Sequence, residues 1–243
     1  CDGSPFVSVL PITLSNLLNT PEDVYLRPIY GSITRIIRYI GVILSVFLPG
    51  LYVAVIMYHP ELISLDLVNT IAQARRMVTL PIYLEILFML FIFQMVRESG
   101  MRVPGSMGQA VGVIGGLIMG QASVDANIVS SVALILVALT GLGTYSIPLY
   151  AMQYIVIAFR LIILFWATVA GLPGVVAATV ICFAYLSSIK SFGVPLLSPF
   201  VPKTYSESSN WWRSPLSARY GMADYTNTQR TKAPKNNKER AEK

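Results

Sequence analysis

Residues Tyr39–Tyr58 read YIGVILSVFLPGLYVAVIMY, twenty positions without a charge. Coiled as an α-helix they extend about 30 Å, the thickness of a bilayer's hydrocarbon core. A soluble domain interrupts its apolar runs with charge so that one helix face meets water; this stretch offers no such face. The whole chain agrees, since 54% of its 243 residues are apolar and 12% are charged, about half the charged share of an average globular domain. Pro49 and Gly50 permit a kink in mid-helix, tolerable in lipid where neighbouring groups satisfy the freed carbonyl. The stretch is read as a membrane span.

Upstream, Thr20, Pro21, Glu22 and Asp23 form a helix-start signature: a capping hydroxyl, a proline suited to the first turn, and acids at the positive end of the dipole. The helix then carries Ile29, Ile33, Ile36, Ile37 and Ile40 on one side and Arg35 and Arg38 on the other, as in an amphipathic interfacial helix. Arg35 and Arg38 are expected to anchor it on the cytoplasmic side. Downstream, His59–Thr79 reads as a polar loop, and Leu80–Val96 as a second span interrupted by Glu85 and Gln94. Arg97–Gly105 is a basic link, and Met107–Val124 is a third span or a re-entrant segment. Ile128–Ile147 is the fourth span, and Leu149–Ile189 divides into two helices at Gly171–Gly174, with Arg160 inside the first. Basic residues before the first span and after the last both favour the cytoplasm, which requires an even number of spans. The expected fold is therefore all-α, a polytopic transmembrane bundle of about six spans; five spans plus a re-entrant segment is the other count.

The net charge of +6 is concentrated in Lys203–Lys243, where nine Lys/Arg stand against four Asp/Glu. Beside membrane spans such a tail marks the cytoplasmic side and attracts anionic lipid, and no nucleic-acid partner is expected. Trp211 and Trp212 fit an interfacial anchor. The organisation expected is the end of an upstream soluble region or linker at 1–19, a transmembrane domain at 20–202 and a basic cytoplasmic tail at 203–243. Without an initiator Met, the sequence reads as the carboxyl-terminal part of a longer protein; Cys1 followed by Asp2 is also compatible with a processed lipoprotein terminus.

No nucleophile elbow, phosphate loop, zinc spacing or pair of catalytic carboxylates occurs, so neither an enzyme nor a cofactor is expected. His59, the only histidine, lacks the clustered partners of a metal site. The sharpest pattern is Gly108, Gly112, Gly116 and Gly120 at four-residue spacing, with Gly115 on the same face. It has two readings: close helix packing of the small-xxx-small kind, and a narrow pore or hinge with Gln109 and Gln121 as polar handles. Both hold together in an oligomer. Glu85 near a span end is either partly solvated and dipole-stabilised, or a cation-attracting group or partner for Arg160. Asp125 is either a solvated cap or, repeated around an oligomer, a ring at a pore mouth.

Five runs in order carry a resemblance: Thr-Pro-Glu-Asp-Val-Tyr at 20–25, His-Pro-Glu at 59–61, Gly-Gln-Ala-Val at 108–111, Gly-Gln-Ala at 120–122 and Ser-Phe-Gly-Val-Pro at 191–195. Together the sequence resembles the A-subunit family of the GerA-type spore germinant receptors. The resemblance implies a subunit of a nutrient-sensing complex in the inner membrane of bacterial endospores, acting with a transporter-like B subunit and a lipoprotein C subunit. It implies that the A subunit oligomerises into a cation channel while the B subunit binds the nutrient. An accessory germination protein of the same family is the neighbouring reading, and a secondary transporter of a small metabolite the reading from another class. Against the family pattern, glutamates usual along the second span are replaced by Leu90 and Gln94. An arginine and a proline usual near Ile157 and Ile162 are missing, and Asp125 and Asn127 stand where glutamate and glycine are usual.

Overall fold

A computed structural model describes residues 13–20, 23, 28–102 and 106–197. They are mostly helical: α1 (Leu14–Leu18), α2 (Pro28–Tyr58), α3 (Leu65–Ala74), α4 (Ile82–Arg102), α5 (Ser106–Asp125), α6 (Ser131–Tyr145) and α7 (Tyr150–Ser188). A short 3-10 turn occupies Pro60–Leu62, and β1 (Lys190–Ser191) pairs antiparallel with β2 (Val194–Pro195). Among the described residues, two helices are long and apolar enough to cross a membrane, Ile29–Tyr58 and Tyr150–Ser188. The chain divides into two compact units, one of residues 40–180 and one of residues up to 39 and from 181.

In the unit of residues 40–180, the core is built from Val53 of α2, Ile86, Met89 and Leu90 of α4, Ala133, Leu136 and Val137 of α6, and Leu164 of α7. The helices approach closely because small residues face one another. A Cβ on Gly143 would collide with the backbone carbonyl of Gly41, and one on Gly50 would lie 2.8 Å from Cγ2 of Ile163. At the same seam the Ser45 and Thr144 hydroxyls are 2.6 Å apart. Since Thr144 donates its own proton to the Thr140 carbonyl, Ser45 is the donor to Thr144. These are the devices of helix association where no hydrophobic driving force separates protein from lipid. Apolar side chains turn outward instead: Ile43, Phe91, Ile135, Leu142 and Phe165 are all exposed.

α7 is broken where the glycine–proline cluster predicts. Gly171 has φ +63°, ψ −140°, outside the helical region. Pro173 has no N–H to give the carbonyl of Val169, four residues back. The Tyr58 hydroxyl fills the gap, donating to the Thr168 carbonyl at 2.6 Å with the Val169 carbonyl 3.5 Å away. Its ring also presses on the break, so that a Cβ on Gly171 would lie 2.9 Å from Tyr58 Cγ.

Two boundaries differ from the sequence reading. The region taken as a loop, 59–79, contains α3, whose apolar residues are mostly exposed, Ile71 alone among its described residues being buried; Leu65, Val68 and Ile71 recur at helical spacing among polar residues. The fourth helix covers Ser131–Tyr145 and not Ile128–Ile147. Its fifteen residues make about 22 Å, because Ser130 caps the start, accepting from Ala133 N–H, and Ser146 ends it. The segment from 107 to 124 is a continuous helix, α5, whose end is a Schellman turn: Ile128 N–H reaches the Ser123 carbonyl and Asn127 N–H the Val124 carbonyl. Asn127 takes the left-handed position at φ +54°, which asparagine tolerates better than most residues; this accounts for asparagine where the family pattern has glycine.

In the other unit, α2 presents Ile29, Ile33 and Ile37 outward while Ser32 and Arg38 are buried. The β1–β2 hairpin turns through Phe192 (φ +50°) and Gly193 (φ +83°), the two positive angles of a type I′ hairpin, so the Ser-Phe-Gly-Val-Pro run is this turn. Gly171→Ala meets the Tyr58 ring and also a backbone at φ +63°, ψ −140°, near a region essentially confined to glycine, whereas Gly193→Ala, at φ +83°, has open space around it. Thermal unfolding in detergent is expected to show a larger loss of Tm for Gly171→Ala than for Gly193→Ala; equal losses would refute the contact.

Candidate functional site

The expected electrostatic residues fall at the two ends of α6. At its start, Glu85 is fully buried, with 0% exposure. Ser130 donates both its N–H and its hydroxyl to Glu85 Oε1, each at 2.6 Å. The Ser130 hydroxyl meanwhile accepts from Ala133 N–H at 3.2 Å, as the N-cap of α6. The carboxylate thus sits at the positive end of the α6 dipole and takes one of the orphan N–H groups of a helix start. Arg75, at the end of α3, places Nη1 3.4 Å from Glu85 Oε2 and donates from Nη2 to the Leu80 carbonyl. Two sequence expectations are corrected here. Glu85 is not partly solvated, because the packed starts of α4 and α6 close over it; and its ion partner is Arg75, not Arg160.

At the other end of α6, Arg160 is 3% and Arg97 is 4% exposed. Arg160 Nη1 contacts the Thr144 hydroxyl at 3.4 Å, and the Arg97 guanidinium lies 5.5 Å from the centre of the Tyr145 ring, within cation–π range. Both residues of α6 are in its last turn, where the negative end of the dipole favours cations. Among the described residues, neither arginine has a carboxylate within ion-pair distance. Arg97, read from sequence as part of a link, is a buried charge of α4; nothing in its neighbourhood, Val96 to Glu98, announces that.

The glycine stripe lies on α5, which packs mainly against α4. A Cβ added at Gly115 would lie 3.7 Å from Val96 and one at Gly120 3.2 Å from Leu134, but one at Gly116 would meet nothing within 4 Å among the described residues. Gly108, Gln109 and Gly112 are in the helix, and their surroundings lie outside the described residues. Gln121 is exposed and its amide donates to the Asp125 carboxylate at 3.1 Å, also exposed. That donor offsets the unfavourable placement of an acid at a helix C-terminus. Leu90 is in the core, while Gln94 and Ile157 line a cavity beside Arg160.

In the unit that includes residues up to 39, Arg38 is held in a clamp and is not presented to headgroups. It grips Asp23 with both guanidinium nitrogens, 2.9 and 3.2 Å, and donates to the Leu18 carbonyl at 2.7 Å. Arg35 Nε adds a longer contact to the same carboxylate, 3.7 Å. Asp23 also accepts from Thr20 N–H at 3.3 Å, the reach-back of a capping box, which agrees with a helix start at Thr20. Burial alone would raise the Asp23 carboxyl, but the hydrogen bonds and charge of Arg38 with those of Thr20 hold it below its usual value. Trp211 and Trp212 lie outside the described residues. His59 contacts Glu61 at 3.3 Å, and among the described residues no cluster of metal-ligating side chains occurs.

Two outcomes follow. Glu85→Ala leaves the buried Ser130 donors and the partly buried Arg75 without their acceptor, a cost of about 1–3 kcal/mol for each unsatisfied buried donor, whereas Glu85→Gln keeps an acceptor for Ser130 and is milder; unfolding midpoints of the two variants in one detergent check the order. Because the folded Asp23 carboxyl is more acidic than the unfolded one, the clamp stabilises fully above the unfolded value of about 3.9 and its contribution is lost as pH falls through the lowered folded value. The Tm difference between the wild type and Asp23→Asn is therefore expected to be constant from pH 7 to about 5 and to shrink in stronger acid; a difference growing toward acid would contradict the clamp.

A family described as "Bacillus/Clostridium GerA spore germination protein" matches residues 1–221. The chain is similar to spore germination protein GerLA of Bacillus cereus, 35% identical over 231 residues, which cover 93% of this chain and 46% of that protein. It is similar to spore germination protein A1 of Bacillus subtilis, 35% identical over 198 residues, 82% of this chain and 41% of that one. An uncharacterized membrane protein of Bacillus subtilis, YfkQ, is 35% identical over 217 residues, 87% and 42% of the two chains. The chain thus spans less than half the length of these relatives. No solved structure matches. With the family match running over most of its length, this chain belongs to the GerA family of spore germination proteins.

Proposed function

We propose that the chain is the membrane part of an A-type subunit of a spore germinant receptor, multi-pass in the spore inner membrane, which passes on the germination signal as an oligomer that conducts cations. Its partners in this reading are further copies of itself, a transporter-like B subunit, a lipoprotein C subunit and the surrounding lipid. In this reading the six passes are α2, α4, α5, α6 and the two parts of α7 on either side of Gly171. The observation that carries the reading is the open backbone at Gly116. Its stripe neighbours Gly115 and Gly120 are packed against the chain's own side chains, while Gly116 faces space. A bare helix face of this kind suits contact with a second helix or with the content of a pore. Asp125, exposed at the end of the same helix, supplies cation-attracting charge when repeated around an axis.

The reading is tested by cation flux through the full-length protein reconstituted with its partner subunits. A Cβ added at Gly116 meets nothing within 4 Å among the described residues, so Gly116→Phe is expected to leave monomer stability within about 0.5 kcal/mol of wild type, while flux changes several-fold. Flux that is absent from the wild type, or untouched by the substitution, overturns the channel. Assembly lost without any conductance to lose identifies a scaffold, and saturable metabolite uptake without partners identifies a transporter.

A further inference from the structure

Between α4 and α7 lies a cavity of about 510 Å³, within the range of about 300–1,000 Å³ typical of small-ligand clefts. Its walls are almost wholly apolar, with Leu84, Leu87, Phe88 and Phe91 on α4 and Leu161 on α7. The polar groups that line it are Gln94 and Arg160. Arg160 is 97% buried, its Nε has no hydrogen-bond partner, and no carboxylate of the described residues is within ion-pair reach. A buried guanidinium without an acid is costly, and the Arg97 charge nearby repels it. The Thr144 hydroxyl and the α6 dipole offset part of that cost, but neither is an anion.

We propose that this cavity binds an anionic amphiphile, its acid group on Arg160 and Gln94 and its alkyl chain along the leucines and phenylalanines of α4. A helical side chain leans toward the start of its own helix, and the Arg160 contact with Thr144 carries its head toward the Tyr150 end of α7. An acid seated there leaves its tail to run along the groove, past Phe91, Phe88 and Leu84. The cavity's volume of about 510 Å³, with Gln94 and Arg160 set in otherwise apolar walls, suits an alkyl chain with a charged head. The acid is a lipid phosphate or a fatty-acid carboxylate, which present the same chemistry to a guanidinium.

The test is native mass spectrometry of the full-length protein in mild detergent with phosphatidylglycerol, phosphatidylcholine and oleate. Wild type is expected to retain phosphatidylglycerol over phosphatidylcholine, and Arg160→Gln to lose at least about tenfold of that preference, the worth of one hydrogen bond to a charged group. Gln94→Glu places an acid in the same cavity and is expected to lose the preference equally while folding normally, which keeps the proposal testable if Arg160→Gln does not fold. Retained phosphatidylglycerol that oleate does not displace identifies the phospholipid as the ligand, and saturable binding of oleate alone the free acid. Equal retention of the neutral and anionic lipids, or a wild-type preference in both variants, overturns the proposal. So does a copy-to-copy cross-link through position 161 that added lipid does not compete.

Discussion

A carboxylate removed from water must receive its hydrogen bonds from the protein, and Glu85 receives them from the first free amide and the capping hydroxyl of another helix. That requirement fixes where α4 and α6 begin relative to one another and holds the end of α3, through Arg75, against both. The apolar core follows directly from it. Ile86 and Met89, next along α4, meet Val129 and Ala133, which flank Ser130. Without the shared oxygen these residues would still be apolar, but nothing would choose their pairing.

The same logic operates in reverse at the far end of α6. Arg97 is twelve residues beyond Glu85 on α4, about 18 Å of helix, and it reaches the last turn of α6 just as Glu85 reaches the first. One helix therefore carries an acid and a base that complement both poles of its neighbour. Arg160 joins from α7 through Thr144, and Ser45 from α2 reaches the same hydroxyl. Thr144 is thus the meeting point of three helices. The close approach of Gly41 and Gly143 leaves room for nothing larger between them.

Much of this was legible in the sequence because lipid makes composition informative. Twenty uncharged residues at Tyr39–Tyr58 lie within one apolar helix, and a glycine–proline cluster gave the break at Gly171. The charges were harder to place. Glu85 and Arg160 both stood out as costly, but a pairing depends on which helix ends meet, and spacing along one chain says nothing about that. Arg75, within the stretch read as a polar loop, is the partner of Glu85 that only packing could supply, and packing likewise sets Arg97, read as part of a link, over Tyr145. Helix α3 lies in a stretch whose polar composition reads as a loop although Leu65, Val68 and Ile71 recur at helical spacing, and Arg38 reads as a surface anchor because its acid lies fifteen residues upstream. The glycine stripe was legible as a pattern, yet its members differ: their neighbours, not their spacing, separate Gly116 from Gly120.

The hydroxyl that Tyr58 lends to the broken backbone of α7 also acts as a gauge of length. It must arrive at Thr168 from the last residue of a helix whose earlier part is already pinned at Ser45 and Gly50. Inserting or deleting one residue between Gly50 and Tyr58 would shift that oxygen by about 1.5 Å along the axis and about 100° around it, leaving the break open to hydrocarbon. The segment is therefore free to exchange one apolar side chain for another but not to change its number of residues, so that drift in this stretch is confined to composition.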